Sequence, residues 1–171
     1  SEQIGLHRGF QNALYFIDKT SGVVGLERIL DTLHERAEGR ELWITGHSLG
    51  AAIATVFAAK LRARMPAVVA GNLRKIVLFG APAVGGAAFR KYYAALEEVT
   101  VRYTHELDPV PFTPPIGFKH VGTGYWFHEG SWTSDPGWPT RLRAALRQKP
   151  WAWARDHSME AYLRALTNEP A

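Results

Sequence analysis

The chain is 171 residues long and 46% of its residues are hydrophobic, which fits one domain with a single core and no linker. It contains no cysteine, and this excludes disulfides, thiolate-bound zinc and catalysis by a cysteine nucleophile. The formal net charge of +4 comes from lysines and arginines that are scattered along the chain rather than gathered in a dense run, so we expect no nucleic-acid partner.

Helices and strands are predicted to alternate along the chain. Apolar residues recur every three or four positions over residues 23–37, which predicts an amphipathic helix that Ser21 caps and Gly39 ends. Residues 42–45 form a short apolar run that predicts a buried strand, and a helix-forming run follows over residues 49–64. The later predicted elements are strands at 75–79 and 99–104, a helix at 86–96, a β-hairpin arm at 119–127, and helices at 139–147 and 158–166.

This alternation predicts an α/β fold with a mostly parallel sheet flanked by helices. In such sheets the ligand crevice lies beyond the carboxyl ends of the strands. Ser48, Gly80 and Asp108 each follow the end of a predicted strand. We therefore expect these three residues to meet at one rim of the sheet.

Gly46-His47-Ser48-Leu49-Gly50 is a Gly-x-Ser-x-Gly pentapeptide between a predicted strand and a predicted helix. The chain must turn sharply there, and the glycines leave room for the turn, so the Ser48 hydroxyl is exposed as a candidate nucleophile. The Leu49 N–H and the positive end of the helix dipole would face the negative charge that develops on an attacked carbonyl. The alternative is an ordinary βα turn in which Ser48 only caps the helix.

A serine nucleophile needs a histidine to take its proton and a carboxylate to orient that histidine. Asp108 is favoured as the carboxylate, because it follows the third predicted strand and the prolines of Asp108-Pro109-Val110-Pro111 hold the loop extended. The alternative is that Asp108 only starts a turn. The other candidates after Ser48 are the acids Asp135 and Asp156 and the histidines His105, His120, His128 and His157.

His157 is favoured as the base, because it opens the final predicted helix on a loop that can fold over Ser48. His120 and His128 lie in the predicted hairpin, where alternation directs side chains to the sheet faces, and we interpret them as structural. His47, inside the pentapeptide, is interpreted as a packing or hydrogen-bonding residue. Asp156 is interpreted as the cap of the last helix and is not assigned to the site.

Six segments of the chain stand in an order and at spacings that resemble those of a known family. They are Leu6-His7-Arg8-Gly9-Phe10, Gly46-His47-Ser48-Leu49-Gly50, Phe79-Gly80-Ala81-Pro82-Ala83-Val84-Gly85, Asp108-Pro109-Val110-Pro111, His120-Val121-Gly122 and Asp156-His157. This set resembles the class 3, or fungal-type, lipases of the α/β-hydrolase superfamily. The resemblance spans nearly the whole chain.

The resemblance implies a catalytic triad of Ser48, Asp108 and His157, with the Leu49 N–H in the oxyanion hole. It implies ester hydrolysis through an acyl-enzyme, with no metal or other cofactor. The implied substrates are glycerides, phospholipids or other carboxylic esters. We expect the substrate pocket to include His47, Ala81, Pro82, Ala83, Val84 and Val110.

One part of the family pattern has no counterpart in this sequence. Family members carry, ahead of the His-x-Gly-Phe segment, a strand that supplies the second oxyanion donor, and only six residues precede His7. Without that strand, Glu41-Leu42-Trp43-Ile44-Thr45 would have an open edge that recruits another strand. We therefore expect residues 1–171 to form one domain that is the carboxyl-terminal part of a longer hydrolase, or that binds a partner chain or a second copy along residues 41–45.

Tryptophan is concentrated between the hairpin and His157, together with basic residues. Amphipathic rings beside cations suit a lipid–water boundary, so this segment is a candidate lipid-interface surface. The alternative is that the rings pack a proline-rich excursion onto the domain. The tryptophans are Trp126, Trp132, Trp138, Trp151 and Trp153, and the cations are Arg141, Arg143, Arg147, Lys149 and Arg155.

The expected function is a serine hydrolase that cleaves carboxylic ester bonds of lipids, a triacylglycerol lipase or esterase. The alternatives are a lipid-binding or scaffolding remnant without turnover, and an acyltransferase or phospholipase that uses the same triad. No apolar run approaches the length of a bilayer span and no secretory signal is visible at Ser1, so we expect a soluble domain, cytoplasmic or secreted.

Overall fold

A five-stranded sheet forms the centre of the computed structural model, which describes residues 6–14, 25–145 and 155–167. The strands lie in chain order across the sheet, and the first four are parallel while the fifth is antiparallel to the fourth. The carboxyl ends of the four parallel strands therefore share one rim. The strands are β1 (Leu42–His47), β2 (Leu73–Phe79), β3 (Thr100–His105), β4 (Thr123–His128) and β5 (Ser131–Ser134).

Helices precede, connect and follow the strands. Among the described residues, none of these helices is long and apolar enough to cross a membrane. Two 3₁₀ helices, Ala94–Val99 and Val110–Phe112, stand before and after β3. The α-helices are α1 (Arg8–Leu14), α2 (Gly25–Arg36), α3 (Leu49–Arg64), α4 (Pro66–Asn72), α5 (Ala87–Tyr93), α6 (Trp138–Ala145) and α7 (Met159–Thr167).

Small side chains let α3 lie close to the sheet. Its buried residues are mostly alanines, and it packs on β1 and β2 on one side and on α1 on another. Side chains alternate between the two faces of a strand, so one sheet face contributes Ile44, Ile76 and Leu78 to this core. Removal of this apolar surface from water is the main source of stability for the sheet.

The opposite sheet face carries a row of aromatic rings. Phe79, Tyr103 and Tyr125 stack across neighbouring strands with ring centroids 5.5 and 5.6 Å apart. The Trp132 ring meets the edge of Tyr103 at 5.1 Å. Helix α7 packs on this side, against β3, and this contact carries the final helix to the carboxyl rim.

The predicted hairpin at 119–127 is wrong in position. Lys119 forms an isolated bridge with Gly85, and the hairpin is made instead by β4 and β5. Gly122 separates the two parts, because its φ of +72° and its close approach to Thr100 interrupt an extended strand. The predicted helix at 86–96 is divided between α5 and the 3₁₀ helix Ala94–Val99, whereas the helix predicted at 49–64 has the bounds of α3.

Candidate active site

Ser48 lies in the sharp turn between β1 and α3. Its φ of +57° is a strained backbone conformation for a residue other than glycine, of the kind that clusters at functional sites. The Ser48 N–H donates to the Phe79 carbonyl at 3.0 Å, which ties the turn to β2. Gly46 is required at the start of the turn, because a side chain there would overlap the Gly50 carbonyl. The turn thus holds the serine hydroxyl at the carboxyl rim.

A continuous chain of hydrogen bonds joins Ser48, His157 and Asp108. His157 Nε2 lies 2.8 Å from Ser48 Oγ. On the other side of the ring, His157 Nδ1 lies 2.9 and 2.8 Å from the two carboxylate oxygens of Asp108. Because a carboxylate only accepts, Nδ1 carries the proton, and Nε2 is left to accept from the serine hydroxyl. The structure brings these three residues together from the β1–α3 turn, the turn after β3 and the turn before α7.

Asp108 is fully buried, and each of its carboxylate oxygens has further donors. The Val110 N–H donates to Oδ1 at 2.9 Å, and the Tyr162 hydroxyl donates to Oδ2 at 2.6 Å. Gly80 makes room for the pair, since a Cβ there would stand 2.6 Å from Oδ2 and 3.1 Å from the His157 ring. The sequence pattern placed Gly80 only at a strand end and gave no signal for Tyr162 beyond its place in an amphipathic helix.

His47 holds the backbone of the candidate base. Its Nε2 lies 2.8 Å from the His157 carbonyl oxygen, and the two rings are 4.6 Å apart. Burial lowers the pKa of the His47 ring, which therefore stays neutral and donates to that carbonyl through Nε2. This geometry is that of a hydrogen-bonding residue.

Helix α3 points its first turn toward the Ser48 hydroxyl. The Ser48 carbonyl accepts from the N–H groups of Ala51 and Ala52, so the N–H groups of Leu49 and Gly50 lie ahead of the helical hydrogen bonds. A helix start of this kind favours negative charge. The Leu49 side chain is 54% exposed beside the serine. Within the described ranges we identify no residue that takes the place of the second oxyanion donor.

The predicted pocket residues lie near the rim and are not among those that line the cavity beside α5. Ala81, Pro82, Ala83 and Val84 are buried, with the Ala83 N–H donating to the Thr113 carbonyl at 2.9 Å and the Val84 carbonyl accepting from the His7 N–H at 3.0 Å. A cavity of about 570 Å³ is lined instead by residues beside α5. The substrate pocket, including Val110, therefore stays a prediction.

The other candidate histidines make contacts away from Ser48. His120 Nε2 donates to the Pro111 carbonyl at 2.7 Å, and burial lowers the pKa of its ring to about 4. His128 Nδ1 lies 2.6 Å from a Glu106 carboxylate oxygen. Burial also lowers the pKa of His105. None of these three rings is part of the hydrogen-bond chain that contains Ser48.

The two remaining acids also bind elsewhere. Asp135 pairs with Arg141 at 2.8 Å. The prediction that Asp156 caps the last helix is wrong: its carboxylate accepts from the Leu107 N–H at 3.3 Å, and Ser158 Oγ accepts from the Ala161 N–H at the start of α7. Burial raises the pKa of Asp156. Asp156 thus ties the turn before α7 to the turn that carries Asp108.

Two tryptophans of the candidate lipid-interface surface pack inside the molecule. Trp126 is 5% exposed and donates from Nε1 to the Glu106 carbonyl at 2.8 Å. Trp132 is half-buried and donates to the Ala165 carbonyl at 3.0 Å. The interface prediction is wrong for Trp126, because the ring is buried, and it stays a prediction for Trp132. Trp151 and Trp153 lie outside the described residues.

Comparison with known proteins places this fold among the lipases. A secreted mono- and diacylglycerol lipase A from Penicillium cyclopium is 42% identical over 89 residues, which are 50% of this chain and 27% of that protein. A phospholipase A1-IIgamma from Arabidopsis thaliana is 32% identical over 136 residues, which are 71% of this chain and 32% of that protein. The chain thus spans about a quarter to a third of the length of these curated relatives.

A solved triacylglycerol lipase, described as having a serine protease triad as its catalytic centre, superposes with a TM-score of 0.64 at 29% identity, over 78% of this chain and 49% of that one. The fold is accordingly that of an α/β-hydrolase. The model of the family "Lipase (class 3)" matches residues 1–118. The chain belongs to the class 3 lipase family, as its six motifs predicted.

Proposed function

We propose that this chain is a serine hydrolase that cleaves carboxylic ester bonds of lipids through an acyl-enzyme. The observation that carries the proposal is the unbroken path from Ser48 Oγ through the His157 ring to the buried Asp108 carboxylate. The names of the relatives, which include mono- and diacylglycerol lipases and a phospholipase, support lipid esters as the substrate class.

The first half of the reaction forms the acyl-enzyme. Ser48 Oγ attacks the ester carbonyl carbon while its proton moves to His157 Nε2. Asp108 stabilises the resulting imidazolium through the Nδ1–H bond. The Leu49 N–H and the start of α3 stabilise the tetrahedral oxyanion. When the C–O bond of the ester breaks, His157 returns its proton to the leaving alcohol, and the acyl group stays on Ser48.

The second half releases the acid. A water molecule gives a proton to His157 Nε2 as its oxygen attacks the acyl carbon, and the tetrahedral intermediate collapses with return of the proton to Ser48 Oγ. An alcohol in place of water would make the same acyl-enzyme an acyltransferase. With a single oxyanion donor, kcat would be about 10²–10³ lower than with two.

Exposed apolar side chains beside the triad support a lipid–water interface as the working surface. Met159, Leu163 and Leu166 recur at helical spacing on the outer side of α7 and are 44%, 57% and 44% exposed. Leu49 adds a fourth exposed apolar side chain next to Ser48. We name these four residues the apolar rim; they take the place of the buried Trp126 in the candidate lipid contact.

The experiment is hydrolysis of p-nitrophenyl esters, from acetate to palmitate, by the 171-residue chain with Ser48→Ala as the control. We expect release of p-nitrophenol by the unaltered chain and its loss in the variant, with the preferred acyl length distinguishing an esterase from a lipase. A fluorophosphonate probe should label Ser48 in the same preparation. Absence of both hydrolysis and labelling would contradict the proposal and favour a non-catalytic lipid-binding remnant.

A further inference from the structure

The buried carboxylate of Asp108 depends on donors other than His157. A carboxylate removed from water is costly unless hydrogen bonds replace its hydration. Asp108 is 0% exposed, and its Oδ1 accepts a hydrogen bond of 2.9 Å from the Val110 N–H, which belongs to the same loop. Oδ2 lies 2.8 Å from His157 Nδ1 and also accepts a hydrogen bond of 2.6 Å from the Tyr162 hydroxyl. Tyr162 thus donates to the same oxygen that meets the imidazole N–H.

The Tyr162 ring is fixed by what surrounds it. The side chain is fully buried. Its ring meets Phe79 and His47 edge-on at 5.8 and 5.9 Å and lies 5.7 Å from the ring of His105. These contacts hold the ring in the place from which its hydroxyl donates to Asp108 Oδ2. Burial and the neighbouring carboxylate raise the pKa of Tyr162, so the hydroxyl remains a donor.

Both groups that contact Asp108 Oδ2 come from one segment, which is α7 together with the turn before it. His157 stands in the turn before α7, and Tyr162 lies in the first turn and a half of α7, five positions later in the sequence. The Asp108 carboxylate is therefore hydrogen-bonded by His157 and Tyr162 on one side and by the Val110 N–H of its own loop on the other. A carboxylate held this way cannot rotate away from the histidine without breaking a charge-assisted hydrogen bond.

We propose that Tyr162 is a positioning residue of the reaction: its hydroxyl orients the Asp108 carboxylate, which in turn holds His157 in line with Ser48. The inference rests on the proposed function only for its kinetic consequence. Its geometric consequence concerns the His157–Asp108 hydrogen bond, and this bond exists whether or not the chain turns over an ester. Tyr162 itself does not touch Ser48 Oγ or the substrate.

Tyr162→Phe tests the proposal, because it removes one oxygen atom and keeps the packed ring. Tyr93→Phe is the matched control, since Tyr93 is equally buried and its hydroxyl lies 3.1 Å from Thr100 Oγ1, in a different part of the core. We expect Tyr162→Phe to lower kcat by about tenfold to a hundredfold, with KM changed by less than about twofold. Tyr93→Phe should keep the kcat and KM of the unaltered chain.

Proton NMR supplies a second readout that needs no turnover. The Nδ1 proton of His157 should give a low-field signal that is absent in His157→Gln. Loss of the Tyr162 hydroxyl leaves more electron density on Asp108 Oδ2, so this signal should move further downfield in Tyr162→Phe and stay in place in Tyr93→Phe. Thermal unfolding of both variants shows whether they lose similar stability.

The two proposals can fail separately. If Tyr162→Phe matches Tyr93→Phe in kcat and in the position of the low-field signal, the positioning role is overturned and Tyr162 is a core residue only. If the unaltered chain hydrolyses no ester, the proposed function fails, and the displacement of the signal in Tyr162→Phe still decides whether the tyrosine positions Asp108.

Discussion

Gly80 has two separate reasons to be a glycine in the candidate site. It follows β2 with a φ of +53°, and its open side faces the contact between Asp108 and His157. Two demands therefore meet at one position: a backbone conformation that other residues adopt at a cost, and space for a carboxylate and an imidazole to approach. Glycine alone satisfies both.

Gly80→Ala is expected to abolish most of the activity. The added methyl would stand 2.6 Å from Asp108 Oδ2 and displace the carboxylate, and displacements of about 1 Å at a catalytic group lower rates by about 100-fold. Gly39→Ala is the matched control, because Gly39 has a φ of +67° and no atom within 4 Å of an added Cβ. Both variants should lose about 1–2 kcal/mol of unfolding free energy from backbone strain.

Ester hydrolysis and chemical denaturation of both variants supply the two measurements. Equal activity in Gly80→Ala and Gly39→Ala would show that the site tolerates a methyl group at position 80. The close approach of residue 80 to the Asp108 carboxylate would then have no effect on catalysis. The two glycines thus separate the effect of strain from the effect of space.

Sequence reasoning reached some residues of the site and missed others for a physical reason. Ser48 could be named because a nucleophile at a strand–helix turn needs glycines at fixed offsets. Tyr162 could not, because nothing in the local pattern tells which buried ring of an amphipathic helix will meet a carboxylate 54 positions away. Long-range contacts of this kind depend on how the elements pack.

At the scale of elements, the connection from β3 to β4 is the least regular part of the fold and the part that carries Asp108. Parallel strands normally need a helical crossover, and the sequence pattern predicted a hairpin arm at 119–127 instead of a strand that joins β3 in parallel. In the structure the crossover is a loop with one short 3₁₀ helix, Val110–Phe112, and β4 joins β3 in parallel. Helix α3, by contrast, was predictable to the residue because its start and its stop at Pro66 are both local signals.

The part of the apolar rim that lies on α7 leads to a prediction about lipid surfaces. Replacement of Leu163 and Leu166 together by glutamine should weaken binding to phospholipid vesicles by about thirtyfold, because each half-exposed leucine adds about 1 kcal/mol when its apolar area leaves water. Hydrolysis of a short, soluble p-nitrophenyl ester should be unchanged. Vesicle co-sedimentation and ester hydrolysis measure the two effects.

Ile29→Gln supplies the control, since Ile29 is 45% exposed on a different helix, α2. Vesicle binding that falls equally in this control, or that does not fall in the double variant, would remove α7 from the lipid contact. A drop in soluble-ester hydrolysis would instead mean that the leucines support the triad.

At the scale of the whole molecule, β1 leaves one side of the sheet open. β1 pairs with β2 along one edge, and in the described part of the chain no strand pairs with its other edge. Trp43 is 59% exposed on one face of β1, and Thr45, two residues further along the same face, is exposed as well. An open strand edge with an exposed aromatic side chain tends to recruit a further strand. Pairing of two copies along residues 41–45 therefore stays a prediction, beside a partner chain and the remainder of a longer hydrolase as the other occupants that the sequence predicts for this edge.

Trp43→Lys should weaken this self-association by about tenfold or more, because a lysine on an edge strand opposes pairing and a tryptophan is a frequent anchor of interfaces. Ile116→Lys is the control, since Ile116 is 85% exposed in the loop between β3 and β4. Sedimentation velocity over a concentration series measures both. A chain that is monomeric at every concentration would contradict pairing between copies and leave a partner chain or the remainder of a longer hydrolase as the occupant.

The attachment of α7 has a consequence for how activity is lost. The helix has nine residues and is anchored by the buried side chains of Tyr162 and Ala165, while the parallel strands below it share a continuous core. Such peripheral segments open at lower free energy than the sheets that they cover. Because the candidate base stands at the start of this segment, its detachment would separate imidazole from serine while the sheet kept its hydrogen bonds. Catalysis would then be lost while the sheet is still folded. Loss of activity would measure the detachment of α7 rather than the unfolding of the whole chain.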